Sequence, residues 1–217
     1  MSLVRAFIAI ELPPEILDPL ARLQARVRRD VPPGLVRWAR PEGIHLTLKF
    51  LGDVEQSRLP EIEAALREAC APHAPFALRI GDLGCFPHPK RPRVVWVGVQ
   101  DTSSAQDHDV GPLARLHAAV ERAIAPLGYP TDRRGFHPHL TLGRVKNARP
   151  SARKTAEWAA LGEYVTHAKV RVGQMQVDAV HLMRSELLPS GAVYSALAVC
   201  PLVAHATHPA DRSADHG

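Results

Sequence analysis

The chain predicts an α+β fold, and three observations predict it. Strand-like and helix-like segments interleave without the strict β-α-β rhythm of a parallel sheet. One segment, Pro112 to Leu127, carries a clear helical stripe. Its Leu113, Leu116, Val120, Ile124 and Leu127 fall at offsets 0, 3, 7, 11 and 14, a single face at a 3.6-residue period. Finally, the phrase His-Leu-Thr-Leu occurs twice, at 45–48 and 139–142, 94 residues apart (139 − 45). The repeat points to an internal duplication with pseudo-twofold symmetry. Elsewhere the two halves align poorly, so the symmetry rests on the motif and on the order of elements.

Taken in order, Val4 to Leu12 reads as a buried strand stopped by Pro13-Pro14. A helix is expected from Glu15 to Arg29, before the Val31-Pro32-Pro33-Gly34 break. Val36 to Arg40 reads as a short strand. Pro41-Glu42-Gly43 then turns the chain into a strand from Ile44 to Leu51, which Gly52 is expected to close. Pro60 to Ala71 reads as a helix with Ile62, Ala65, Leu66 and Ala69 towards the core. Phe76 to Ile80 and Val94 to Val99 read as strands around the Pro-rich loop Phe86 to Pro92. Pro112 suits the first turn of the striped helix and Gly128 its C-terminal cap. The second histidine strand is expected over His137 to Val145, followed by a helix from Ala152 to Leu161. Thr166 to Val172 and Gln176 to Ser185 are strand candidates, and Ser190-Gly191 a hairpin turn into Val193 to Val199. The expected organisation is one domain over residues 1–203 and a disordered tail over 204–217.

At 217 residues, 46% hydrophobic and 23% charged, the chain can bury a substantial core. Its longest early apolar stretch, Ala6 to Leu12, is too short for a membrane span and contains Glu11. No membrane partner is expected. Cys70, Cys85 and Cys200 show no ligand spacing, and an odd, scattered count suits reduced thiols in a cytoplasm. The net charge of +5 draws the protein mildly towards polyanions. Its denser basic patches are Arg26-Arg28-Arg29 on a helix, and Lys90-Arg91-Arg93 and Arg133-Arg134 in loops.

In a strand, side chains alternate faces, so His45 and Thr47 share one face while Leu46 and Leu48 enter the core. His139 and Thr141 repeat the arrangement. One such histidine alone is more often structural. Two identical four-residue copies favour chemistry: cleaving a phosphodiester with water requires one proton removed from the nucleophile and one delivered to the leaving oxygen. Imidazole, titrating near pH 6.5, serves either role. A threonine beside each can donate to a non-bridging oxygen. Five positions beyond each histidine stand Phe50 and Arg144, suited to stacking on a base and to forking onto phosphate. Strict alternation puts both out of phase with the histidines, so a bulge or strand end is needed to turn them into the cleft.

His-Leu-Thr-Leu-Lys-Phe-Leu-Gly (45–52) and Pro-His-Leu-Thr-Leu-Gly-Arg (138–144) resemble the paired HxTx signatures of the two-histidine (2H) phosphoesterases. More narrowly, they are similar to bacterial RNA 2′,3′-cyclic phosphodiesterases, also called 2′-5′ RNA ligases. Arg5-Ala6-Phe7-Ile8-Ala9-Ile10, Arg37-Trp38 and Ser185-Glu186-Leu187 with Gly191 and Tyr194 add to the likeness, which spans residues 4–200. The resemblance implies a bilobal fold: two antiparallel sheets facing a central cleft, with helices outside. It also implies metal-independent opening of a 2′,3′-cyclic phosphate on RNA or an oligonucleotide to a 2′-phosphate; no cofactor is expected, and the chain is expected to be a monomer. His45 and His139 would be catalytic, Thr47, Thr141 and Arg144 would bind phosphate, and Phe50 would stack on the terminal base. Run in reverse, with an RNA 5′-hydroxyl in place of water, the site would make a 2′-5′ linkage without ATP.

Two rivals remain. One is a cyclic phosphodiesterase for a small nucleotide such as ADP-ribose 1″,2″-cyclic phosphate. The other is a non-catalytic RNA-binding module, against which two poised proton carriers argue. His137 and His139 could share a zinc ion on one strand face, but no third ligand stands at a suitable spacing. His73, His88, His108, His117, His167 and His181 show no partner spacing, and His205, His208 and His216 fall in the tail.

Overall fold

The structure is a computed structural model that describes residues 2–102, 110–133, 135–146, 149, 151–189 and 191–203. His108, Arg134, Ser190 and the tail with His205, His208 and His216 lie outside the described residues. The strands are β1 (Leu3–Glu11), β2 (Val36–Trp38), β3 (His45–Glu55), β4 (Phe76–Phe86), β5 (Val94–Asp101), β6 (His139–Val145), β7 (Arg171–Val177), β8 (Ala179–Leu188) and β9 (Gly191–Pro201). The helices are α1 (Pro14–Asp30), α2 (Leu59–Cys70), α3 (Pro112–Ile124) and α4 (Ala152–His167).

The strands run in the order β7-β4-β5-β6-β3-β1-β8-β9, with β2 added on β6. β2 apart, four strands lie on each side of the β6–β3 seam, and each half is antiparallel throughout. The two expected sheets are present as halves of one continuous sheet. They join at a single paired position, Leu46 with Leu140, the first leucine of each repeat. The sheet curls, because Tyr194 on β9 and Phe86 on β4 line the same cavity from opposite halves.

The helices cover the other face. Buried Ile16, Leu20, Leu23 and Val27 give α1 one apolar side, which packs on β7. Ile62, Leu66 and Cys70 of α2 and Leu113, Leu116, Val120 and Ile124 of α3 seal those helices against each other and against the sheet. The main core runs beneath the sheet, while Phe7, Ala9 and Met183 form a small second cluster with Tyr194 on the cleft face.

Several element bounds differ from expectation, each for a local reason. Gly52 does not end β3. It takes φ +74° inside the strand, beside a bulge, and pairing with β1 continues to Leu3–Glu55. β4 runs to Phe86 because Gly81-Asp82-Leu83-Gly84, which looks like a turn, is a bulge with Asp82 at φ 57°. Gly84 is needed there: a Cβ on it would sit 2.2 Å from the Trp96 ring. Residues 166–167, expected to open a strand, end α4 instead. Buried Trp158, Leu161 and Val165 keep the helical period going, and the Ser151 hydroxyl caps its start by accepting from the Lys154 N–H. Asp178 splits the expected 176–185 strand between β7 and β8. The α3 stripe ends as expected, in a 3₁₀ turn (Ala125–Leu127) capped by left-handed Gly128.

Candidate active site

The seam fixes the geometry of the repeats. With Leu46 opposite Leu140 in antiparallel register, His45 falls across from Thr141 and Thr47 across from His139. All four side chains line one cavity of about 570 Å³. Leu46, Leu48, Leu140 and Leu142 point the other way and are buried at 4% exposure or less. The crossed arrangement is the pseudo-twofold symmetry of the repeat, realised at a single centre.

Bulges settle the phase of Phe50 and Arg144. In β3, Ala9 pairs with Thr47 and Ile8 with Lys49, so Leu48 is the extra residue. In β6, Trp96 pairs with Thr141 and Val95 with Gly143, so Leu142 is the extra residue. The same bulge thus follows both threonines, 94 positions apart (142 − 48). Each one reverses the alternation beyond it. Lys49 turns inward and is buried, while Phe50, 70% exposed, and Arg144 emerge on the histidine face as cavity-lining residues.

Each catalytic candidate is held by its own backbone. His45 Nδ1 lies 3.0 Å from the Gly43 carbonyl, and His139 Nδ1 lies 2.7 Å from the His137 carbonyl. A carbonyl only accepts, so Nδ1 carries the proton in both rings. Nε2 is then the nitrogen left to exchange a proton in the cavity. The rings are also walled by aromatics. Phe7 stacks on His45 at 4.6 Å and Tyr194 meets it edge-on at 4.9 Å. Phe86 meets His139 edge-on at 4.9 Å, with Trp96 behind at 6.2 Å. Burial pushes His45 from the ordinary 6.5 down to about 4, against the opposing pull of the Gly43 carbonyl. Burial also lowers His139, and the positive Arg144 adds to that. Both rings are therefore neutral in the free protein at neutral pH.

The inward-turned Lys49 braces the approach to β6. Its ammonium donates to Glu121 Oε2 of α3 at 2.7 Å and to the Pro130 carbonyl at 2.6 Å. Glu121 also accepts from the Asp132 N–H at 3.1 Å, and His117 stacks on Phe136 at 3.8 Å. These contacts pin the segment that leads to His137 and His139. Lys49, Glu121, Phe7 and Phe86 were not singled out by their sequence signals, because each acts through a partner distant in the chain.

Trp38, near the first motif, lines the cavity, whereas Trp96 is the backing of His139. His137 is exposed and contributes its carbonyl. His181 sits 3.5 Å from Glu11. Cys70, Cys85 and Cys200 are free and buried. Among the described residues, no three His, Cys, Asp or Glu side chains gather as a metal site. No helix of the described residues is long and apolar enough to cross a membrane.

A curled antiparallel sheet whose paired HxTx strands meet at its centre defines a two-histidine phosphoesterase. The chain belongs to the 2′-5′ RNA ligase superfamily, which residues 12–187 match. It is 36% identical over 196 residues to an RNA 2′,3′-cyclic phosphodiesterase of Methanothermobacter thermautotrophicus, covering 90% of this chain and 97% of that one. Among solved structures it is similar to TT0787 of Thermus thermophilus, with a TM-score of 0.70, 28% identity, and coverage of 91% and 97%. E. coli LigT complexed with 3′-AMP aligns with a TM-score of 0.66, 26% identity, and coverage of 93% and 99%.

Proposed function

We propose that the protein is an RNA 2′,3′-cyclic phosphodiesterase that opens the terminal ring to a 2′-phosphate. The observation that carries this is the crossed His–Thr quartet, with both Nδ1 atoms tied to backbone and both rings on one cavity. The relatives' activity and the bound 3′-AMP of a structural neighbour support a ribonucleotide end as substrate.

In this reading the cyclic phosphate lies between the two imidazoles. His139 Nε2 takes a proton from water as its oxygen bonds to phosphorus. The P–O3′ bond breaks, and His45 Nε2 gives its proton to O3′. Burial disfavours a proton on either ring in the free protein, so the acid role of His45 depends on the charge the substrate brings, with the stacked Phe7 face available to the imidazolium. The substrate's own negative charge raises His45 when it enters. Thr47, Thr141 and Arg144 hold the non-bridging oxygens as charge builds, and exposed Phe50 stacks on the terminal base. With an RNA 5′-hydroxyl in place of water, a P–O5′ bond forms on the cyclic phosphorus as P–O3′ breaks and O3′ takes a proton, leaving a 2′-5′ linkage and a 3′-hydroxyl without ATP.

Incubation with an oligonucleotide 2′,3′-cyclic phosphate in EDTA tests this. The expected product is a 2′-phosphate end. An untouched ring, or a 3′-phosphate as the sole product, would contradict it.

A further inference from the structure

We propose that a basic hollow beside the reaction centre is a second phosphate subsite that engages a neighbouring phosphodiester of RNA. This rests on the RNA-end reading above and deepens it, since a lone cyclic nucleotide has no phosphate to place there.

The hollow has a volume of about 610 Å³ and is lined by Arg37, Arg93, Val94, Arg144, Val145 and Lys146. Four of these six residues are cationic and none is acidic. They converge from three parts of the chain: Arg37 from β2, Arg93 from the end of the Pro-rich loop, and Arg144 and Lys146 from the end of β6. Arg144 stands between Arg37 and Val94 across three paired strands. The Val145 N–H donates to the Arg93 carbonyl, and the Lys146 N–H to the Leu35 carbonyl, both at 2.9 Å. The backbone under these side chains is therefore fixed, and four cations face one hollow, where the local field favours an anion.

Position supplies the second argument. Arg37, Val94 and Arg144 line both this hollow and the catalytic cavity, so the two are contiguous. A polyanion with regularly spaced phosphates can occupy both at once. Guanidinium forks match phosphate oxygens well, and contacts of this kind position a strand without reading its bases. The phosphate has two possible sources: the one preceding the terminal nucleotide on the same strand, or one on the strand whose 5′-hydroxyl attacks in the reverse reaction.

Two arms of one experiment separate these sources. The first compares kcat/KM for a nucleoside 2′,3′-cyclic phosphate with and without a 5′-phosphate. The second compares 2′-5′ joining to a dinucleotide bearing a 5′-hydroxyl with joining to a nucleoside. Each is run on the wild type and on the double variant Arg93→Gln/Lys146→Gln. The wild type should prefer the substrate with the extra phosphate on the order of tenfold in one arm, as one charge-assisted contact provides. The double variant should lose that preference and keep the wild-type rate on the substrate lacking it. In the wild type alone, the preferred substrate's salt dependence should be steeper by roughly 0.7 in log–log slope. Preference ratios near one in both wild-type arms, or ratios that survive the double variant, would overturn the subsite. Absence of turnover on every substrate would overturn the RNA-end reading, and the subsite with it.

Discussion

An imidazole tied at Nδ1 to its own backbone is a directional proton carrier, and here two are tied in the same way. Gly43 and His137 supply the carbonyls, each two residues before the ring it holds. Tethering fixes the tautomer, while the aromatic walls and burial keep both rings neutral until an anion arrives. For His45 this carries a stability consequence. Its folded pKa of about 4 lies below the ordinary 6.5, so the unfolded chain binds that proton more readily. Stability should therefore fall as pH drops from about 6.5 through about 4. Urea midpoints at pH 7 and pH 4.5 should separate more for the wild type than for His45→Gln; equal separation would contradict the burial. NMR titration should also find His45 near pH 4 in the free protein and at higher pH once a nucleoside 2′-phosphate is bound. The convergence of these residues on one cavity was legible because an exact repeat is hard to dismiss. The carbonyl tethers were not, since backbone hydrogen bonding to a side chain leaves no mark on residue identity.

At the scale of the element, the matched bulges do most of the positioning. Alternation alone would have sent Phe50 and Arg144 into the core and left Lys49 in the cleft. One extra residue in each motif strand exchanges those fates, a switch set by pairing with β1 and β5 rather than by the strand's own residues. The need for a bulge was therefore readable from the sequence, and its location was not. The exchange also delivers Lys49 to Glu121, an ion pair with side chains 7% and 8% exposed. Glu121→Leu strands a buried ammonium and should cost about 3–5 kcal/mol. Denaturant unfolding measures that loss; one below about 1 kcal/mol would mean the brace is incidental. Gly84→Ala should likewise destabilise, because Trp96 must leave the place where it backs His139. Loss of turnover beyond the loss of folded protein would show that the displacement reaches the ring. Misjudged strand ends at Gly52 and Gly81–Gly84 share one cause: glycines that look like turns are here the means of bending strands and admitting neighbours.

For the whole molecule, the decisive feature is that two halves of a curled sheet meet at one leucine pair. So sparse a seam is invisible in the sequence, which predicts the duplication but not how the copies join. It places the proposed catalytic groups from residues 45–50 and 139–144 on one cavity, with the helices occupied in burying the opposite face. The central claim is that both imidazoles act on the same phosphorus. Single-turnover hydrolysis of an oligonucleotide 2′,3′-cyclic phosphate by the wild type, His45→Ala and His139→Ala tests it most directly, with circular dichroism confirming each fold. Each substitution should slow the chemical step by roughly 10²–10⁴-fold. A folded variant of either kind that kept a near-native rate would contradict the account.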